Sequence, residues 1–309
     1  MLSNNGKYMK LREWVILDNV EWAYLSGNPN AIPILEQNID KINWSYLSEN
    51  PNAISILEKH LDKVDWFWLS RNPNAISILG KHLDKVDWEC LSGNENAIPI
   101  LEQNLDNINW EYLSENINAI PIIEQNLDIM TITCWEYLSR NPNALHILEK
   151  HSNKVNWSLI YCNPNAIHIL EKNLTKVNWV NLSSNPNAIH ILEKNLDKMD
   201  TDCWVNLSGN PNAIPILEKN LDKMDRECWI MLSSNPNAIH ILEKNLDKVD
   251  WISLSINPNI FVYDYEAMKT HMYKEGGFVE ELMANRFHPK NMGMMNGWGF
   301  ECPIDDDDD

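Results

Sequence analysis

Three residue types recur at spacings that could carry chemistry. Histidine holds one repeated position at His146, His168, His190 and His240, each directly after Ala-Ile or Ala-Leu. Histidine titrates near neutrality and ligates metals, so such a column invites a proton-transfer or metal-site reading. A metal, however, needs its ligands about 2 Å from one ion, whereas helices bearing successive copies pack about 8–10 Å apart. The column reads as a polar, weakly pH-sensitive stripe. Glutamate recurs too, at Glu36, Glu58, Glu102, Glu124, Glu149, Glu171, Glu193, Glu218 and Glu243. Paired carboxylates can do acid–base work, but no complementary cleft residues accompany these, and they read as solvated or lysine-paired. Cysteine stands at positions 90, 134, 162, 203, 228 and 302, without any CxxC pair. Cys134, Cys203 and Cys228 each directly precede a tryptophan, where a small apolar residue is the plainer reading than a redox or metal role. The chain has no Walker loop, HExxH or GxSxG. No catalytic, cofactor-binding or metal residue is assigned, no cofactor is expected, and the chain is read as non-enzymatic.

The elements that carry these columns are repeats. Tryptophan recurs at Trp22, Trp44, Trp66, Trp88, Trp110, Trp135, Trp157, Trp179, Trp204, Trp229 and Trp251, and these are the expected structural core. The step is 22 residues, except for three steps of 25 ending at Trp135, Trp204 and Trp229. The unit reads approximately D/N-W-x-x-L-S-x-N-P-N-A-I-x-I-L-E-K-N-L-D-K-V. Asn28 can cap a helix with Pro29 at its first position, and Ala31, Ile32, Ile34 and Leu35 form its apolar stripe. Asn43 can cap a second, shorter element starting at Trp44, a turn of α or 3-10 helix. In the longer units the three added residues fall between the cap (Thr131, Asp200, Asp225) and the Trp, close to one helical turn.

Neither helix buries its apolar face alone, so units must stack. The fold expected is all-α: a solenoid of about eleven two-helix repeats forming a superhelical array with capped ends. Residues 1–19 read as the N-terminal cap, 20–259 as the array, 260–290 as C-terminal capping helices and 291–309 as an irregular acidic tail. Eleven units at about 10 Å each predict a rod on the order of 100 Å. Gly80, Glu95 and Ile117 break the consensus in consecutive units, which predicts the weakest stretch over residues 77–120.

Charge narrows the partners. Lys and Arg number 25 against 44 Asp and Glu, a net charge of −19, and five aspartates close the chain. That field disfavours phosphate backbones and anionic membranes and favours basic partners, so neither nucleic acid nor membrane is expected. The polar N-terminus and the lack of a long apolar run point to a soluble, non-secreted protein in a reducing compartment. Two residues after each Trp, the first six units carry Tyr24, Tyr46, Trp68, Cys90, Tyr112 and Tyr137, and the last five carry no aromatic. The rings either complete the inter-repeat core or form a binding face, since Tyr and Trp are common interface anchors. Tyr24, Tyr46, Trp68, Tyr112 and Tyr137 are the candidate partner-binding residues.

The W-x-x-L-S-x-N-P-N-A-I-x-I-L-E-x-N unit resembles short repeats abundant in predicted proteins of giant double-stranded DNA viruses. The stretch from Phe261 to Pro289 resembles the segment that closes those arrays. A more distant likeness is to the bacterial leucine-rich-repeat variant, whose units alternate α and 3-10 helices. The resemblance implies no enzymatic activity. With that viral context, the array, the missing catalytic motifs and the aromatic column point to a viral scaffold or adaptor that binds a protein partner along its superhelical face, in the host cytoplasm or viral factory. The alternative is a structural virion component, such as a minor capsid or tegument-like protein.

Overall fold

The computed structural model describes residues 8–171 and 177–274. It divides into a first unit ending at Val262 and a second beginning at Tyr263, of which the helix Tyr265–Lys274 is described. The rest of the expected C-terminal capping helices, residues 275–290, and the acidic tail lie outside the described residues.

The first unit is the all-α solenoid expected. Each repeat contributes a short Trp helix, such as Trp44–Glu49, and an Ile helix, such as Ile54–Leu57, with 3-10 turns in many of the links. The fixed letters of the repeat have specific physical jobs. Leu47, Ala53 and Leu57 are fully buried between the two helix layers, as are their counterparts in nearly every repeat. Asn43 caps the Trp helix by accepting from the Tyr46 N–H, and Asp65, Asp87, Asn109 and Asp250 do the same job in their repeats. The first Asn of Asn-Pro-Asn, expected to cap the Ile helix, instead closes the turn ahead of it: that helix begins at Ile54, with Ala53 at its cap position and no side-chain bond there. Asn50 accepts the Asn52 N–H at 3.0 Å, and its amide donates to the Ser26 and Asn28 carbonyls of the preceding repeat, both at 2.9 Å. Asn52 donates to the Pro29 carbonyl at 2.8 Å. Ser48 donates to the Trp44 carbonyl at 2.7 Å while accepting the Asp65 N–H of the next repeat at 3.0 Å. Buried backbone groups are thus satisfied from one repeat to the next, which is why these polar letters recur at fully buried positions.

This ladder does not end at the ends of the array. Asn28, in the first repeat, donates to the Ser255 and Asn257 carbonyls of the eleventh at 2.9 and 3.0 Å. Asn30 donates to the Pro258 carbonyl at 2.9 Å, and the Glu21 N–H to the Ser255 hydroxyl at 3.0 Å. These are the bonds found at internal junctions, with the last repeat standing as the neighbour of the first. The solenoid curves until it closes into a ring of eleven units. The rod of about 100 Å expected from the repeat count is corrected accordingly: length was counted correctly, but no sequence letter fixes the small rotation per unit that accumulates to a full turn. The seam is further covered by the N-terminal segment. Met9–Leu11 pairs as a strand with Phe261–Tyr263, Arg12 bonds the Ile260 and Asn259 carbonyls, and Trp14 packs on Trp251 at 6.5 Å.

The Trp helices pack on one another all round the ring, including first against last, whereas the Ile helices make no comparable contact with one another. In a closed array the tighter-packed layer lies at the smaller radius, so the Trp helices form the inner wall. Eleven helices side by side at about 8–10 Å place their axes on a circle roughly 30 Å across. Side chains projecting about 5 Å from each axis leave a bore roughly 20 Å wide.

One repeat departs from this pattern. In the seventh, Tyr161 holds the position of the buried serine and is itself buried. Its hydroxyl accepts the Asn178 N–H, the inter-repeat link that Ser supplies elsewhere. The larger ring displaces the local helix: residues Ile160–Cys162 form only a 3-10 turn, and Trp157 is 46% exposed. The expected weak stretch over residues 77–120 shows no such distortion. Asn118 bonds the Glu95 carbonyl and Asn143 the Ile117 carbonyl where other repeats use proline, because the ladder needs only the carbonyl.

Candidate functional site: the inner wall

On each Trp helix, the Trp and the residues three and four beyond it point between the layers. The residues one, two and five beyond therefore face the bore, by the angular spacing of a helix. Two of these positions meet across repeats. A side chain on Gly27 would touch the Tyr46 ring at 3.7 Å, and one on Gly209 would meet the Met231 methyl at 3.0 Å. A single recess of about 180 Å³ is lined by Glu49, Arg71, Cys90, Gly93, Tyr112 and Glu115, which come from four consecutive repeats. Only a concave surface brings four repeats to one recess.

The five candidate aromatics lie on this wall. Tyr46 is exposed, and Tyr24, Trp68, Tyr112 and Tyr137 are half-buried against their neighbours. Tyr24 and Tyr46 have ring centroids 5.2 Å apart, Tyr112 and Tyr137 stack at 6.4 Å, and Phe67 stands edge-on to Trp68 at 5.2 Å. A hydrogen bond with Tyr24 pushes the Tyr46 hydroxyl above its ordinary pKa, and the Glu89 carboxylate does the same to Tyr112. The row is interrupted at Cys90, which with Gly93 forms the floor of the recess. Burial, with help from Asp87, pushes the Cys90 thiol up to about 12, so it stays protonated and is no nucleophile. Arg71 pairs with Glu49 at 3.6 Å and Arg140 with Glu115 at 3.4 Å, each across one repeat boundary.

The tryptophans grade from core to surface. Trp135, Trp204 and Trp229 are 5% exposed, and Trp22, Trp44, Trp66, Trp88, Trp110, Trp179 and Trp251 are half-buried. The three best buried belong to the 25-residue units, whose Trp helices are one turn longer. In several of the 22-residue units a lysine from the link that follows lies over the ring, as Lys41 does over Trp22 at 4.5 Å and Lys198 over Trp179 at 5.3 Å. Trp157 is not core, because Tyr161 occupies its repeat. The cysteines of the longer units are fully buried. Cys203 and Cys228 meet the serine of the preceding repeat, and burial raises their thiols, that of Cys203 to about 11.

The histidine column lies on the outer layer and pairs with the glutamate row. His146 meets Glu124 at 2.9 Å, His168 Glu149 at 3.3 Å, His190 Glu171 at 2.8 Å and His240 Glu218 at 2.7 Å, each partner from the preceding repeat. Sequence reasoning took the two columns separately; the offset of three residues within the unit was the signal that they meet across a boundary. Among the described residues no group of three or more His, Cys, Asp or Glu is arranged to hold a metal. Nor is any described helix long and apolar enough to cross a membrane.

The fold and its wall define a class, a closed α-solenoid with a chemically uneven bore. Compared with family models, curated proteins and solved structures, the chain matches none.

Proposed function

We propose that the chain is a non-enzymatic scaffold that holds a segment of a partner protein against the inner wall of its ring. The carrying observation is the placement of Tyr24, Tyr46, Trp68, Tyr112 and Tyr137 on the bore face of the Trp helices instead of between the layers. Rigid rings there offer apolar contact area at low entropy cost. The repeat resemblance supports a giant-virus adaptor acting in the host cytoplasm or viral factory. The test is Tyr46→Ala combined with Trp68→Ala, followed by an affinity pull-down from infected cells and a thermal melt. Partners should be lost with the melt nearly unchanged; a lowered melt with partners retained would return the rings to a structural role.

A further inference from the structure

Closure of the ring brings together wall residues that are far apart in the chain. Met231 and Ile256, from the last two repeats, continue across the seam into Tyr24, Tyr46, Phe67 and Trp68 of the first three. Met231, Ile256, Tyr46 and Phe67 are all exposed, at 38–45%, so the apolar arc is open to the bore. The next sector, in repeats four to six, is acidic: Glu89, Glu111, Glu115 and Glu136 stand there with Arg140, while Glu49 and Arg71 mark its border with the arc. Across these two sectors five carboxylates face two guanidiniums, and the remaining wall is neutral, with Ser158, Asn181, Ser184 and Asn206.

We propose that the bore binds a basic amphipathic helix, its apolar face on the Met231–Trp68 arc and its lysines or arginines toward Glu89, Glu111 and Glu136. This rests on the reading of the ring as a protein-binding scaffold and names the chemistry of the partner. An apolar sector beside a charged one on a curved wall matches a helix, which presents adjoining faces; a strand presents opposite ones. A helix is about 10–12 Å across with its side chains and fits within a bore roughly 20 Å wide. Charge selects among occupants. A second copy of this chain carries −19 and its final five residues are aspartates, so neither a second copy nor the chain's own terminus complements the acidic sector.

The full chain is titrated, by fluorescence anisotropy, with three labelled 18-residue peptides: a Leu/Lys amphipathic helix, its Leu/Glu counterpart, and a Leu/Lys sequence scrambled to erase the apolar face. The Leu/Lys helix should bind best. Glu111→Gln with Glu136→Gln should weaken it about tenfold, as the loss of two charge pairs of up to about 1 kcal/mol each would. Glu193→Gln with Glu243→Gln, on the outer layer, should leave it unchanged. The inference is overturned if the Leu/Glu or scrambled peptide binds equally, if no peptide binds, or if the outer pair matters as much as the inner. Should it fail while pull-down partners still depend on Tyr46 and Trp68, the scaffold reading stands and only the basic helix falls. Should the partners also ignore Tyr46 and Trp68, both fall.

Discussion

A single buried hydroxyl decides the geometry of a whole repeat. In ten units a serine, nearly inaccessible to solvent, bonds the carbonyl of its own Trp, and wherever a 22-residue unit follows it also accepts that unit's cap N–H; in the seventh unit, Tyr161 makes that link with a far larger ring. Overpacking of this kind costs about 1–3 kcal/mol. Tyr161→Ser should therefore raise stability by about that amount, extend the Trp helix and draw Trp157 inward. A chemical-denaturation midpoint and the Trp157 emission maximum check both effects; a less stable variant would mean that the surrounding core has been rebuilt around the ring. The carboxylate caps of the longer units supply a second residue-scale expectation. Backbone N–H donors, led by Cys203 and Cys228, hold Asp200 and Asp225 below the usual carboxylate range. A depressed folded-state pKa gives stability that is present above the unfolded value of about 3.9 and lost as pH falls through the folded one. Asn caps nearly as well as Asp without titrating. Asp200→Asn with Asp225→Asn should thus flatten the acid end of the stability profile while changing little at pH 7, as melts between pH 7 and 2 would register.

At the scale of elements, burial of the tryptophans should rank the cost of removing them. Trp229→Ala, from a ring 5% exposed, should cost roughly 3–5 kcal/mol, Trp110→Ala less, and Trp157→Ala least. Equal costs for Trp229 and Trp157 would contradict the displaced seventh repeat. Much of this layer was legible in the letters. The Asn-Pro-Asn turn, the Asp and Asn caps and the one-turn insertion before Cys-Trp follow from local backbone chemistry, which a sequence states directly. The second job of Ser and Asn was not legible, because a side chain that bonds its own turn and the next repeat at once leaves the same pattern as a cap alone. Nor was the Tyr161 distortion, since a tyrosine at one position in eleven reads as ordinary variation until that position is known to be fully buried. The aromatic column was found at its repeat position, but its facing depended on which helix layer lies inside, and that depends on curvature.

Closure is a property of the whole molecule, invisible in any one unit, because it is the sum of eleven small rotations. It has a direct energetic consequence. In an open array the Asn28 amide would face solvent, with no neighbour to bond, and removing it would cost almost nothing. In the ring it donates to Ser255 and Asn257 as Asn116 donates to Ser92 and Asn94 in the interior. Truncating either leaves the buried Ser carbonyl without its amide donor and the Asn30 or Asn118 N–H without its acceptor, at about 1–3 kcal/mol per unsatisfied group. Asn28→Ala and Asn116→Ala should therefore destabilise the protein to the same degree, by roughly 2–5 kcal/mol. Denaturant melts of the two variants side by side decide the matter, and a silent Asn28→Ala beside a costly Asn116→Ala would mean that the seam stands open. Small-angle scattering supplies the independent check. A ring whose inner helices lie on a circle roughly 30 Å across has a much shorter maximum dimension than eleven units in line at about 10 Å each. Adding Asn30→Ala to Asn28→Ala removes both side-chain amides that bond across the seam, to the Ser255, Asn257 and Pro258 carbonyls. If closure rests on the ladder, that double variant should lengthen the maximum dimension while its helical circular-dichroism signal is retained.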